Sequence, residues 1–135
     1  MQKAIAELKN SPTVDIKGKS YTQVSTRINL FRKYFPMASI ETLITYNDDI
    51  RVIIQTKISL NDTVIATGYA EERGDGNYIN QTSAVENCET SSIGRALSNL
   101  GLGGSEYASS FEVTNAIAKQ EQIKQTTNQQ NYKPQ

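Results

Sequence analysis

The sequence predicts an α+β fold, in which a three-stranded antiparallel β-meander packs against a long C-terminal α-helix and follows two N-terminal helices. Three β-prone runs joined by short turn-forming segments lie within residues 39–72. A stretch of helical periodicity from Ser83 to Gly101 comes after them. One sheet face should therefore be covered by helix, in a β-β-β-α core that leaves room for an extra short strand.

Two helices are predicted before the strands. The first covers residues 2–10 and is ended by Pro12, and Gly18 then marks a turn. The second covers residues 21–35 and ends before Pro36. Its apolar positions recur at helical spacing: Val24, Ile28, Phe31 and Phe35. Its other side carries the cations Arg27, Arg32 and Lys33.

The three strands are predicted over residues 39–46, 50–60 and 63–72. Asn- and Asp-containing turns join them, which is typical of a meander. Apolar and polar positions alternate along the middle run, so one of its faces should be buried. Arg51 and Lys57 share the other face, six residues and about 20 Å apart along an extended chain.

The long helix has start and stop signals of its own. Ser83 with Glu86 three residues later is a capping box, and Gly101 stands where a helix closes through a left-handed residue. Cys88 falls on the apolar stripe between them, which predicts a buried structural thiol.

Composition limits the function classes. Lys plus Arg and Asp plus Glu each total 14, so the net charge is zero, and a basic surface must be local. The chain has no histidine and one cysteine, which argues against disulfide scaffolds, zinc clusters and histidine-dependent catalysis. No apolar run reaches the length of a membrane span, and a signal-peptide pattern is absent at the N-terminus. A cytoplasmic protein without membrane association is expected.

The chain divides into two parts by composition. Residues 1–115 are predicted to form one domain. Residues 116–135 are predicted to be a disordered tail, because they are rich in Gln and Asn and poor in aliphatic side chains.

An enzymatic reading has little support. Asp48 or Asp49 followed by Gln55 and Lys57 is a weak match to the metal-binding pattern of many nucleases. Gln55 replaces one of the acids that would hold a magnesium ion, and the aspartates lie in a turn that favours Asp for backbone reasons. No catalytic residue, metal site or cofactor is therefore predicted.

One segment carries a recognisable signature. Residues 83–97 read Ser-Ala-Val-Glu-Asn-Cys-Glu-Thr-Ser-Ser-Ile-Gly-Arg-Ala-Leu, and a Tyr-x5-Arg-Ile-Asn-Leu pattern spans residues 21–30. Together with the meander between them, these residues resemble the annealing core of the Rad-fifty-two superfamily of single-strand annealing proteins, in its small phage-encoded form. The resemblance covers roughly residues 20–110.

The resemblance implies a function and an assembly. Members of that superfamily form homo-oligomeric rings or filaments, hold single-stranded DNA in a basic outer groove and promote pairing of complementary strands without ATP. For this chain it implies single-stranded DNA binding and annealing in phage recombination or replication, in the host cytoplasm, with single-stranded DNA and other copies of the chain as partners.

The resemblance also implies DNA-contacting residues. Arg95 matches the arginine of the family's helix motif, and Arg27 lies one position from a helix arginine with a similar role. Gly94 and Ser98 stand where other members have basic residues, which implies that charge is moved to the strands. The predicted DNA-binding residues are Arg27, Arg32, Lys33, Arg51, Lys57, Arg73, Tyr78 and Arg95. Tyr78, and secondarily Tyr69, would stack on bases.

Two alternatives stay open at this point. A single-stranded DNA-binding protein that protects strands without annealing them would use the same chemistry. A protein–protein interaction module that binds no DNA would use the same fold, and salt-sensitive DNA binding separates it from the other two.

Overall fold

A computed structural model describes residues 1–74 and 78–104, apart from the side chains of residues 78–82. Its element order is α1 (Gln2–Leu8), β1 (Val14–Ile16), β2 (Lys19–Tyr21), α2 (Val24–Tyr34), β3 (Ser39–Asn47), β4 (Arg51–Leu60), β5 (Thr63–Arg73) and α3 (Tyr78–Asn99). The predicted fold class is confirmed: a three-stranded antiparallel sheet packs against a long helix that follows it, with helices at the N-terminus.

The sheet has the order β3-β4-β5, with β4 in the centre and both pairings antiparallel. Asn61 and Asp62 make the β4–β5 turn at φ 52° and 62°, the left-handed values that a tight hairpin needs. At the other end, Asp48 Oδ1 accepts hydrogen bonds of 2.8 Å from the backbone amides of Ile50 and Arg51. These turns set the register that decides which side chains share a face.

α3 lies against one face of the sheet, and at one point the backbones of the helix and of β5 are in direct contact. A Cβ atom added to Gly68 of β5 would stand 2.5 Å from the backbone nitrogen of Ala96 and 2.8 Å from the carbonyl oxygen of Ser92. Beside this contact, the buried hydroxyls of Thr56 and Ser92 are hydrogen-bonded at 2.7 Å. Small residues therefore let helix and sheet meet closely, and the buried hydroxyls of Thr56 and Ser92 satisfy each other.

α1 and α2 complete the core on the helical side of the molecule. The ion pair between Lys33 and Glu7, 2.6 Å long, joins the two helices, and the hydrogen bond from Lys33 lowers the pKa of Glu7. The rings of Phe31 and Phe35 stack at 5.3 Å. The buried residues of this core come from the three helices, the sheet and the segments that follow α2 and α3: Ala4, Leu30, Phe31, Ala38, Ile58, Ala66, Ala96, Leu97 and Leu102.

The N-terminal region differs from the sequence prediction in one element. A hairpin of β1 and β2 precedes α2, where only a turn at Gly18 was predicted. Lys17 and Gly18 both have positive φ, of 49° and 83°, as a two-residue hairpin turn requires. Tyr21 belongs to this hairpin, so α2 begins at Val24. The strands have three residues each and expose most of their side chains, so hydrophobic alternation does not reveal them.

The start of the long helix was also placed too late. α3 begins at Tyr78, so Ser83 lies inside the helix and the predicted capping box with Glu86 is wrong. The predicted end is confirmed. Gly101 has φ +100°, and its amide donates to Ser98 O while the amide of Leu102 donates to Leu97 O, which closes the helix in a Schellman motif. The predicted tail, residues 116–135, lies outside the described residues.

Gly68→Ala tests the close contact of helix and sheet. We expect the free energy of unfolding to fall by about 1–3 kcal/mol, because the new methyl group forces the backbones of α3 and β5 apart. Gly103→Ala is the matched control, since its Cβ would meet atoms no nearer than 3.7 Å. Urea unfolding followed by circular dichroism measures both. Equal stability of the two variants would contradict the packing described.

Candidate nucleic-acid interface

The sheet has one covered face and one open face. Val52, Ile54, Thr56 and Ile58 of β4 are buried beneath α3. The alternate β4 residues point to the other side, and among the described residues no helix packs there. The residues of β3 and β5 that pair with these β4 residues lie on the same side of the sheet. We define the open face by Glu41, Leu43, Tyr46, Arg51, Ile53, Gln55, Lys57, Thr67, Tyr69, Glu71 and Arg73.

Two arginines stand side by side at one end of the open face. Arg51 and Arg73 are directly opposite each other in the β4–β5 ladder. Like charges in that position repel unless a counter-charge lies between them. Glu71 supplies it: its Oε1 lies 3.5 Å from Arg51 Nη1 and 3.6 Å from Arg73 Nε. The three residues form one charged cluster with a net charge of about +1 at neutral pH.

A second group of contacts fixes the direction of Arg51. Its guanidinium lies 4.8 Å from the centroid of the Tyr46 ring, in a cation–π contact. The Tyr46 hydroxyl donates a hydrogen bond of 2.6 Å to Asp48 Oδ2. That bond, with the backbone amides of Arg51 and Ile50, lowers the pKa of Asp48. The β3–β4 turn therefore holds Arg51 in place independently of Glu71.

The middle of the open face combines a cation with exposed apolar side chains. Gln55 is flanked by Leu43 on β3 and Tyr69 on β5, whose exposed fractions are 53% and 55%. The next row along the sheet places Lys57 between Glu41 of β3 and Thr67 of β5. The predicted shared face of Arg51 and Lys57 is confirmed, and the structure adds Arg73 and Tyr69 to it.

Arg27 lies in the interior rather than on a DNA-binding surface, which corrects its predicted role. Its side chain is fully buried. Nε donates to Leu102 O at 2.6 Å, and Nη2 donates to Gly94 O at 2.5 Å and to Ser98 Oγ at 3.0 Å. These acceptors belong to the last turns of α3 and the segment after it. A guanidinium in this place donates hydrogen bonds to carbonyl groups at the negative end of the helix dipole.

The other predicted cations lie on the helical side. Arg32 Nη1 donates to the carbonyl oxygen of Ala38, and Lys33 is paired with Glu7. Arg95 is half-buried on α3, next to Ala96, which faces the sheet. These residues are therefore separated from the open face by the sheet, and their predicted DNA contacts stay predictions. Tyr78 begins α3, but its side chain lies outside the described part of the chain.

A cavity of about 230 Å³ lies beside the β3–β4 turn and the early part of α3. Its charged lining residues are three acids, Asp48, Asp49 and Glu72, and one cation, Arg51, so its net negative charge disfavours a phosphate. Among the described residues, no cluster of three or more Cys, Asp or Glu side chains is placed to hold a metal ion. The thiol of Cys88 is buried against the carbonyl oxygens of Val52 and Ala70, as the sequence predicts, and burial raises its pKa.

Sequence reasoning missed one member of the charged cluster. Strand alternation puts Glu71 and Glu72 on opposite faces of β5. The same alternation places Glu71 with Arg73, two residues on, so the sequence contained this part of the signal. The contact with Arg51 depends on the β4–β5 register, which the sequence alone does not specify to one residue.

Comparison with known proteins gives one family match. Residues 28–100, more than half of the chain, match the family model described as Slr1353 N-terminal dsRNA-binding domain-like. The match begins within α2, includes β3, β4 and β5, and ends just after α3. No curated protein matches the chain. Within the described residues, no helix has the length and apolar character to cross a membrane.

The family match corrects the resemblance drawn from the sequence. The matched family is not the Rad-fifty-two superfamily, so the assignment of the chain to that superfamily is wrong. The family description indicates nucleic-acid binding in general. It gives no support to strand annealing, phage recombination or ring assembly.

Arg27→Met tests the structural role of the buried guanidinium. We expect the free energy of unfolding to fall by about 2 kcal/mol or more, because three acceptors lose a charged donor in the interior. Arg27→Lys should recover only part of the loss, since an ammonium lacks the planar fork. Thermal unfolding measures both variants. Unchanged stability, with nucleic-acid affinity lost well below the melting temperature, would instead indicate a direct contact.

Proposed function

We propose that this chain, which belongs to the Slr1353 N-terminal dsRNA-binding domain-like family, binds nucleic acid through the open face of its sheet. The observation that carries the proposal is the placement of Arg51, Lys57 and Arg73 on one sheet face together with the exposed ring of Tyr69. We propose binding and not catalysis. The cations and the exposed ring of this face can contact phosphates and bases, but they do not form the pair of a general acid and a general base that catalysis would use.

A chain of zero net charge binds phosphates only where its cations are concentrated. The open face has an excess of one positive charge, because three cations stand against Glu41 and Glu71, and its cations lie at two places, the Arg51–Arg73 pair and Lys57. They lie about 20 Å apart along the strand, so a polynucleotide that follows β4 would meet both. Each phosphate neutralised releases counterions, and affinity falls as salt rises.

The form of the nucleic acid follows from the apolar part of the face. Bases inside a duplex are stacked on one another and offer no free ring to a protein, whereas unstacked bases pack on aromatic side chains. Tyr69 and Leu43 are more than half exposed in the centre of the open face. We therefore propose a single strand of DNA or RNA as the ligand of this surface.

Duplex RNA is the second candidate. The description of the family favours it, and a duplex is recognised mainly through its phosphates and 2′-hydroxyl groups. Annealing of complementary strands and assembly into homo-oligomers stay predictions from the sequence.

Fluorescence anisotropy with four labelled probes of equal length tests the proposal: single-stranded DNA, single-stranded RNA, duplex DNA and duplex RNA. We expect salt-sensitive binding that is tightest for a single strand. Tightest binding of duplex RNA would favour the second candidate. No binding of any probe at low salt would contradict the proposed function and favour a protein–protein interaction module.

Neutralising the open-face cations locates the contact. Arg51→Gln, Lys57→Gln and Arg73→Gln should each weaken binding. Lys57→Gln, which leaves its phosphate without a cation, should also reduce the slope of log K against log salt by about 0.7 for a single strand. Lys9→Gln removes the same charge from the exposed end of α1, on the helical side, and is the control. A larger effect of the control than of the three variants would place the interface elsewhere.

Tyr69→Leu tests base stacking. Stacking on an aromatic ring contributes about 1–3 kcal/mol per base, so the single-strand dissociation constant should rise about fivefold or more. Tyr69→Phe keeps the ring without the hydroxyl and should bind like the wild type. Equal affinity of all three proteins would remove Tyr69 from the interface.

A further inference from the structure

We propose that Arg51 and Arg73 form a binding site for one phosphodiester group, and that the carboxylate of Glu71 occupies this site when nucleic acid is absent. The inference rests on the proposed function. It identifies Arg51 and Arg73 as the residues that contact the sugar–phosphate backbone of the nucleic acid. It also assigns Glu71 a role as an internal competitor of the ligand.

The geometry of the pair fits a single anionic group. Both guanidinium groups approach the same oxygen, Glu71 Oε1, at 3.5 and 3.6 Å. Two donors that reach one carboxylate oxygen from neighbouring strands can reach one phosphate oxygen placed there. Arginine is suited to this ligand, because its planar fork matches the oxygens of a phosphate.

The contacts to Glu71 are loose enough to be exchanged. Charge-assisted hydrogen bonds are about 2.7–2.9 Å long, and both contacts here are longer. The side chains of Arg51, Glu71 and Arg73 are 39%, 42% and 71% exposed, so water screens the pairs. Exposed ion pairs of this kind are weak. A phosphate therefore displaces the carboxylate without breaking a buried network.

Arg51 and the backbone of Arg73 are held by contacts that do not involve Glu71. Arg51 is held by the Tyr46 ring and by the turn around Asp48. The backbone of Arg73 is fixed at the end of β5, where the next residue, Gly74, donates its amide to Ile50 O at 2.8 Å, and its exposed side chain extends from there. Glu71 is thus not needed to build the site, and its charge opposes the ligand.

Glu71→Gln tests the inference directly, with binding to a single-stranded oligonucleotide as the measurement. We expect the dissociation constant to fall about fivefold, the ratio that corresponds to a unit-charge interaction over 4 Å in water. Circular dichroism confirms that the variant is folded.

Glu72→Gln is the matched control. It removes the same charge one residue along β5, on the opposite side of the sheet, where Glu72 pairs with the buried Val52. It should change the affinity much less than Glu71→Gln. A similar gain from both variants would mean that only the total charge matters, and would overturn the inference.

A double-mutant cycle gives a second, independent readout. If Glu71 competes with the ligand for Arg73, then Arg73→Gln weakens binding more in the Glu71→Gln background than in the wild type. If Glu71 instead positions the arginines, Glu71→Gln weakens binding and the inference is wrong. If neither the wild type nor Glu71→Gln binds nucleic acid, the proposed function itself fails. If the wild type binds and Glu71→Gln binds no better, only the inference about Glu71 fails.

Discussion

The close contact between α3 and the sheet is the constraint on which the rest of this structure depends. At Gly68 the backbones of β5 and α3 meet without a side chain between them, and Thr56 and Ser92 satisfy each other beside that point. Because α3 covers one face and α1 and α2 pack behind it, the helices share one side of the molecule. Within residues 1–74 and 78–104, no helix packs on the opposite face of the sheet.

This division gives different tasks to residues of the same chemical type. Arg27 is enclosed by carbonyl groups at the end of α3, where its charge complements the helix dipole and joins α2 to the segment after α3. Arg51 and Arg73 are on the open face, where their partner is an exposed carboxylate. Burial, and not residue type, therefore distinguishes a cation that supports the fold from a cation that can meet a phosphate.

The sequence predicts the sheet well, because the alternation in β4 and the Asp- and Asn-containing turns report burial and chain reversal directly. It predicts the site less well. Helical spacing on α2 predicts a buried apolar stripe that includes Ile28 and leaves Arg27 on the other side of the helix. The structure instead buries Arg27 between α2 and α3. A charged side chain in that place pairs with carbonyl groups distant in the sequence, and no local pattern reveals them. Pairing across strands likewise brings Glu71 to Arg51, 20 residues apart in the sequence. The signature in residues 83–97 describes a helix that packs on a sheet, and the family match assigns that helix to a different family.

The central claim is that nucleic acid contacts the open face and leaves the helical side untouched. Titration with a single-stranded oligonucleotide, followed by NMR of the arginine Nε–H signals, measures this for each arginine separately. The account predicts that the signals of Arg51 and Arg73 shift with added oligonucleotide while the buried Arg27 signal stays in place. Shifts confined to Arg32 and Arg95, with Arg51 and Arg73 unchanged, would contradict it and place the ligand on the helices.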